Sequence, residues 1–357
     1  MTVRLRAALD GLAAYRPGRN AADLGLASAV KLASNESAFG PLPSVREVIA
    51  AAGQSVNRYP DNGSAELTAA LAAHCAVPPE RMAVGCGSVG LYQQLVAALA
   101  GPGDEVAYGW RSFEVYPAFL TVAEATGVPV PLAGHSYDLP ALAAAVTGRT
   151  RMVFVCNPNN PTATAVGTTA IETLLDAVPD DVLVVIDEAY REFVTDPDVP
   201  DALHYAARRD NVAVLRTMSK AYGLAGLRVG YCIAAPAVIA AVRQVQLPFT
   251  VSSVTQAAAI ASLAAKDELR ERVNSTLAER ARVLAALRDT PVTVPASQAN
   301  FYWLPLGSLA VPFAAECERH GVIVRPFDGD GVRVTVGTPE ENDRFLAVAT
   351  PYLRQSC

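Results

Sequence analysis

The chain has 357 residues, 51% of them hydrophobic and 18% charged, and a formal net charge of −6. The length suggests two domains, and the apolar fraction supplies a sizeable core, which excludes disorder as the main state. The acidic balance lacks the basic footprint of a nucleic-acid partner, and no apolar run is long enough to span a membrane, so a small-molecule partner and a soluble, cytoplasmic chain are expected.

The N-terminal run MTVRLRAALDGLAAYRPGR carries Arg4 and Arg6 before apolar residues, but Asp10, Arg16 and Arg19 break the pattern of a secretory leader. From about Pro41 to Ala235, short β-branched runs alternate with Ala/Leu-rich helical stretches. This is the pattern of an α/β domain with a doubly wound, mostly parallel sheet. MAVGC, EVAYG, RMVFVC, VLVVID, VAVLRT and RVGYCIA are its expected strands. A helical region over 252–288, Ala-rich and then charged, reads as a bridge. Beyond it PVTVP, NFYWLPL, VIVRPF and VRVTVG are expected as short strands around a helix at AVPFAAECERHG, with a last helix from Pro339 to Leu353. That part reads as a smaller α+β domain.

Six cysteines (Cys75, Cys86, Cys156, Cys232, Cys317, Cys357) form no CxxC pair and read as buried thiols of a reducing compartment. The four histidines lie far apart, so no metal site is expected.

Ligands of open α/β sheets collect at the carboxyl ends of strands. Here RMVFVC runs into NPNNPT, VLVVI into DEAY, VAVLRT into MSK, and MAV into GCGSVG. Each alone reads as an ordinary turn or cap; together they point to a site. The sequence holds three lysines. Lys266 belongs to a charged helix and Lys31 has nothing nearby to activate it. Lys220 stands between apolar segments, which desolvates its amine, lowers its pKa and suits it to Schiff-base chemistry; a snorkelling lysine is the plain alternative. Asp187 is delivered by a buried strand and needs a cation there, Glu188 points the other way, and Tyr190 shares the crevice face. Asn157 offers an amide.

GCGSVG, residues 85–90, opens a helix whose free N–H groups suit a phosphate. As a dinucleotide fingerprint it lacks the acidic residue at the end of the next strand. A phosphate cradle, the aromatic cluster WRSFEVY, an amide, a carboxylate and a lysine meet the needs of pyridoxal phosphate. The lysine carries it as an imine, the carboxylate keeps the pyridine nitrogen protonated, and an aromatic stacks on the ring.

LASNESAFGP, RYPDNGSAEL, GCGSVG, CNPNNPTAT, VVIDEAYREF, TMSKAYGLAGLRVGY and GVRVTVGTPEEN follow one another along nearly the whole chain. On these motifs the chain resembles the fold type I pyridoxal-phosphate aminotransferases, in the histidinol-phosphate aminotransferase group. The resemblance implies a large cofactor-binding domain over 41–251, a smaller one from 1–40 and 289–357, and a bridge over 252–288. It implies that Lys220 bonds the cofactor and later moves the α-proton, that Asp187 pairs with the ring nitrogen, and that Asn157 and Tyr190 hydrogen-bond the ring hydroxyl. Phe113 stands where the family usually has a stacking Tyr. The N–H groups of Ser88 and Val89, with Thr217, Ser219 and Arg228, surround the phosphate, and Tyr59 reaches the partner's phosphate across a homodimer interface. Arg333 forks onto the substrate α-carboxylate, Tyr15 and Asn35 close over substrate, and Arg325 matches an arginine that in some members binds the distal group.

Within the group, WRSFEVYP resembles the aromatic, phenylalanine-type aminotransferases of actinobacteria. Transfer from an aromatic amino acid to 2-oxoglutarate is therefore the expected reaction. Histidinol phosphate as donor, a decarboxylase, lyase or regulator of the same fold, and an NAD-dependent oxidoreductase resting on Gly85 to Gly90 are the alternatives.

Overall fold

The computed structural model describes residues 3, 6–12, 14 and 29–356. Its first strand, β1 (Val30–Lys31), waits for a partner much later in the chain. The central sheet takes β2 (Met82–Cys86), β3 (Glu105–Trp110), β4 (Thr126–Pro131), β5 (Thr150–Cys156), β6 (Leu183–Asp187), β7 (Val212–Thr217) and β8 (Val229–Ile233). In space these run β2-β8-β7-β6-β5-β3-β4. Neighbours pair in parallel except around β8, which is antiparallel to both β2 and β7.

The middle strands are Val- and Ile-rich because both faces are covered. Val153, Val155, Val184 and Ile186 pack into the core on one side, while Met152, Phe154, Leu183 and Val185 pack on the other. That alternation is the two-residue period of a strand.

Two details depart from the sequence reading. The edge strand β4 (TGVPVP) was not among the expected strands; Pro129 and Pro131 are tolerated there because an edge strand does not need every donor. PVTVP, expected as a strand, is irregular over 291–295, where its two prolines remove ladder donors. The region 252–288 forms two helices, Ser253–Ala264 and Lys266–Leu287, the first capped by the Ser252 side chain, which accepts from the Thr255 N–H.

The remaining strands are β9 (Phe301–Leu304), β10 (Val322–Ile323), β11 (Arg325–Phe327) and β12 (Gly331–Thr335). β11, β12 and β9 form an antiparallel sheet, and β1 pairs in parallel with β10. Leu32, Tyr302, Leu304, Phe313, Val332 and Phe345 make a core of their own beneath them, closed by helices Ala310–Arg319 and Pro339–Ser356. Among the described residues no helix is long and apolar enough to cross a membrane.

Candidate active site

A cavity of about 240 Å³ opens where the carboxyl ends of β6 and β7 face the small sheet. Lys220, Asp187, Tyr190, Ser88, Val89, Phe113, Thr217, Ser219, Arg228, Arg325, Arg333 and Asn35 all line it. A larger cavity of about 540 Å³, bordered by Asn62, Glu80 and Arg243, holds none of these groups.

Asp187 ends β6, and its Oδ1 accepts the Ala189 N–H at 2.9 Å. Burial dominates there and pushes the carboxyl up to about 6, with Lys220 pulling weakly the other way. Lys220 lies just past β7, its Nζ donating to the Ser34 carbonyl at 3.4 Å and 5.9 Å from the Tyr190 ring centre. Burial, and then Arg333, bring this amine down to about 8. A neutral, nucleophilic fraction is therefore present close to neutral pH. Tyr190 packs edge-on against Phe301, and its hydroxyl accepts from Asn35 Nδ2 at 3.1 Å. Burial raises the phenol, so it stays protonated.

At the other end, helix Gly87–Leu99 points its first N–H groups into the cavity through Ser88 and Val89. Arg228 adopts the left-handed region (φ 55°) and donates from Nη1 to the Ala225 carbonyl at 2.9 Å and to Ser219 Oγ at 3.4 Å. Thr217 Oγ1 donates to Ser219 Oγ at 3.0 Å. Gly87 is also left-handed (φ +68°), and a Cβ there would stand 2.5 Å from Arg228 Nη2; one on Gly230 would stand 2.4 Å from the Ser88 nitrogen. The cradle is built at backbone distance, and side chains would fill it.

On the small sheet, Arg333 of β12 is the direct cross-strand partner of Arg325 of β11. Arg333 donates to the Ala33 carbonyl at 2.7 Å and to Asn160 Oδ1 at 2.5 Å. Arg325 Nη2 donates to both oxygens of Glu114, at 3.1 and 3.2 Å.

Two expected site residues, Asn157 and Tyr59, are not part of this cavity wall, and a third lies outside the described residues. Asn157 is turned away: its amide donates to the Val166 carbonyl at 3.1 Å and accepts the Val166 N–H at 2.9 Å. The amide that NPNNPT sends into the cavity is Asn160. The motif contains two Asn-Pro steps three residues apart, and the choice between them needs the loop geometry. Tyr59 is 83% exposed and stacks on Phe249 with ring centres 4.6 Å apart, so it does not reach the cavity of its own chain. Tyr15 lies outside the described residues. Glu188 points to the opposite face of the sheet, where Arg216 donates to it at 2.7 and 2.9 Å. Sequence reasoning also passed over Glu114 as a site residue; its signal is its place beside Phe113.

The model of the family described as aminotransferase class I and II matches residues 27–348. The chain belongs to the class I and II aminotransferases. An aromatic amino acid aminotransferase of Thermobifida fusca is 58% identical over 352 residues, covering 99% of this chain and 98% of that protein. One of Mycobacterium tuberculosis is 56% identical over 351 residues, covering 98% of each. Among solved structures, histidinol-phosphate aminotransferase from Sinorhizobium meliloti in complex with pyridoxal-5'-phosphate superposes with a TM-score of 0.91 at 29% identity, covering 100% of this chain and 99% of that one.

In this aminotransferase the fold is the α/β, fold type I arrangement expected from sequence, and the glycine run opens onto the cavity lined by Lys220 and Asp187. The cavity suits the three parts of pyridoxal phosphate separately. The glycine-lined helix start and Arg228 suit its phosphate, the desolvated Asp187 suits a protonated ring nitrogen, and the Lys220 amine suits its aldehyde.

Proposed function

We propose that the chain is a pyridoxal-phosphate-dependent aminotransferase that moves the amino group of an aromatic L-amino acid, phenylalanine or tyrosine, to 2-oxoglutarate. The observation that carries this reading is the pairing of Lys220 and Asp187 at adjacent strand ends, facing Arg333 across one cavity. Relatives named for aromatic amino acids match end to end at well over half identity, whereas the histidinol-phosphate enzyme matches at 29%.

When bound, the cofactor supplies an electron sink for the bonds at the substrate α-carbon. The residues of the chain do the rest. Lys220 Nζ would hold the cofactor and, when free, would serve as the base for the proton on the substrate α-carbon. Asp187 holds the proton on the ring nitrogen, and the Tyr190 hydroxyl donates to the ring oxygen. Asn160, on the same loop as Asn157, takes the amide role. Phe113 covers the ring face. Ser88, Val89, Thr217, Ser219 and Arg228 hold the phosphate. Arg333 forks onto the α-carboxylate and so fixes which α-carbon bond faces Lys220. Asn35 ties that arginine's sheet to Tyr190 through the Tyr190 hydroxyl and Thr335 Oγ1.

The same proposal includes a homodimer in which Tyr59 completes the partner's phosphate site and Tyr15 closes over substrate. The exposure of Tyr59 and Phe249 supports it. It also includes a cofactor-binding body over 41–251, a smaller one from 1–40 and 289–357, and a bridge over 252–288. A cytoplasmic location is supported by the five described cysteines, all unpaired.

Steady-state assays with phenylalanine, tyrosine and histidinol phosphate as rival donors, each with 2-oxoglutarate, test the reading. An aromatic donor is expected to lead in kcat/KM. A lead of tenfold or more for histidinol phosphate overturns the aromatic assignment.

A further inference from the structure

We propose that Glu114 is a built-in counter-anion for Arg325 and sets which side chains the distal end of the cavity accepts, an inference that rests on the aminotransferase reading above.

Arg325 and Arg333 face each other across the β11–β12 ladder, so two guanidiniums share one wall. Both lie against the same ring, with Phe327 centred 5.7 Å from Arg325 and 5.8 Å from Arg333. A third, Arg111, stacks on Phe327 from 5.6 Å and on Trp110 from 4.9 Å. Like charges opposite one another in a ladder repel, and a half-buried cation is stable only beside an anion. The chain supplies acids to Arg111 and to Arg325. Asp330 meets Arg111 Nε at 2.7 Å, and Glu114 meets Arg325 with both oxygens.

Glu114 differs from Asp330 in where it stands. Its partner Arg325 lines the cavity, whereas Arg111 does not. The Arg325 and Glu114 side chains are 16% and 30% exposed, so the pair is shielded more than a surface ion pair yet open to exchange. Glu114 directly follows Phe113 and precedes the helix Val115–Ala123. One short turn therefore delivers both the aromatic wall of the cavity and the carboxylate that neutralises its distal cation.

Two substrates of different charge must use this space in turn. An uncharged aromatic side chain enters while Glu114 remains on Arg325, and no charge is stranded. The distal carboxylate of 2-oxoglutarate reaches Arg325 by displacing Glu114, so its affinity is set by that competition. A dianionic phosphate meets Glu114 as a like charge. Glu114 thus acts through Arg325 as a positioning residue for specificity.

The test uses the holoenzyme and the variants Glu114→Gln, Glu114→Asp and Glu114→Gln/Arg325→Gln. Each is checked for an intact melting transition, then titrated with succinate as a dicarboxylate probe by calorimetry and assayed for KM and kcat. Glu114→Gln is expected to tighten succinate about tenfold, the scale of one modest charge interaction. It should lower KM for 2-oxoglutarate more than it changes kcat, and raise the histidinol phosphate to phenylalanine ratio of kcat/KM. Glu114→Asp, which keeps the charge, should bind succinate nearer the parent, and the double variant should lose the gain. Unchanged or weaker succinate binding in Glu114→Gln, or a gain that survives loss of Arg325, overturns the proposal. Absence of aromatic turnover in the unaltered enzyme would overturn the functional reading instead, while the succinate titration would still judge Glu114.

Discussion

Asp187 and Glu188 are consecutive carboxylates, both buried, at the end of one strand, and the chain treats them in opposite ways. Glu188 faces the body of the large core, where Arg216 grips it through two nitrogens and is itself shared with Asp201 at 2.7 Å. Burial opposes the guanidinium charge, but Glu188 and Asp201 hold Arg216 above its ordinary value. A further oxygen of Glu188 accepts the Ala202 N–H at 2.9 Å. Asp187 faces the cavity with one backbone N–H, the Tyr92 hydroxyl and a lysine whose own charge burial disfavours, and with no guanidinium gripping it as Arg216 grips Glu188. A structural carboxylate is neutralised by the fold, whereas a working one is kept short of partners so that a ligand completes it.

The sharpest way to break this contrast is at the amine. Lys220→Ala should lower turnover by at least about a thousandfold, the range of a lost general acid–base group, and remove the covalent cofactor label. Borohydride trapping and peptide mapping check it: a label on Lys31 or Lys266 would sink the assignment. Asp187→Asn should follow, with a fall in kcat/KM of about a hundredfold or more, because an amide cannot hold the ring-nitrogen proton. Glu188→Gln should show the mirror image, losing about 3 kcal/mol of stability by weakening a buried pair while its folded fraction keeps most of its turnover. Urea midpoints beside kcat separate the two, and equal catalytic losses would erase the distinction.

Acidity sharpens the same point. In the cofactor-free protein the folded pKa of Asp187 stands at about 6 against an ordinary 3.8. The folded chain therefore keeps a proton that the unfolded chain has released, and stability falls as pH rises from about 4 to about 6, by about 3 kcal/mol in total. Lys220, lowered from 10.5 to about 8, acts with the other sign: the folded chain sheds its proton first, so stability recovers as pH climbs through about 8 to 10.5. Denaturation midpoints of cofactor-free protein should lose only the Asp187 share of the acid-side fall in Asp187→Asn, because burial also raises Glu188 and Glu192 and their share remains; a fall of unchanged size in Asp187→Asn would sink the assignment. The smallest effect is at the ring face. Phe113→Ala should weaken cofactor retention by up to about tenfold and Phe113→Tyr by less than about threefold, measured by cofactor dissociation.

The large sheet was legible because its strands are continuous apolar runs ending in polar turns, and β6 and β7 place Asp187 and Lys220 by simple adjacency. Where pattern and geometry part, the sequence reading failed for physical reasons. β4 carries two prolines, which keep it out of the expected strands, yet an edge tolerates them. PVTVP has strand-like valines but too few donors to join a ladder. The Asn157 and Asn160 steps are chemically alike, and which amide turns inward is decided by its closure onto Val166. Glu114 and Arg325 stand 211 residues apart, a distance at which sequence spacing carries no information about contact.

The clamp on Arg333 joins early and late chain. Its guanidinium rests on the Ala33 carbonyl, Asn35 bonds Thr335, and β1 pairs with β10. During synthesis on the ribosome the central sheet is complete once Ile233 has emerged, long before residue 333 exists. Nascent protein can thus assemble the sheet that carries Asp187 and Lys220 first, while Arg333 and the contacts that clamp it arrive last.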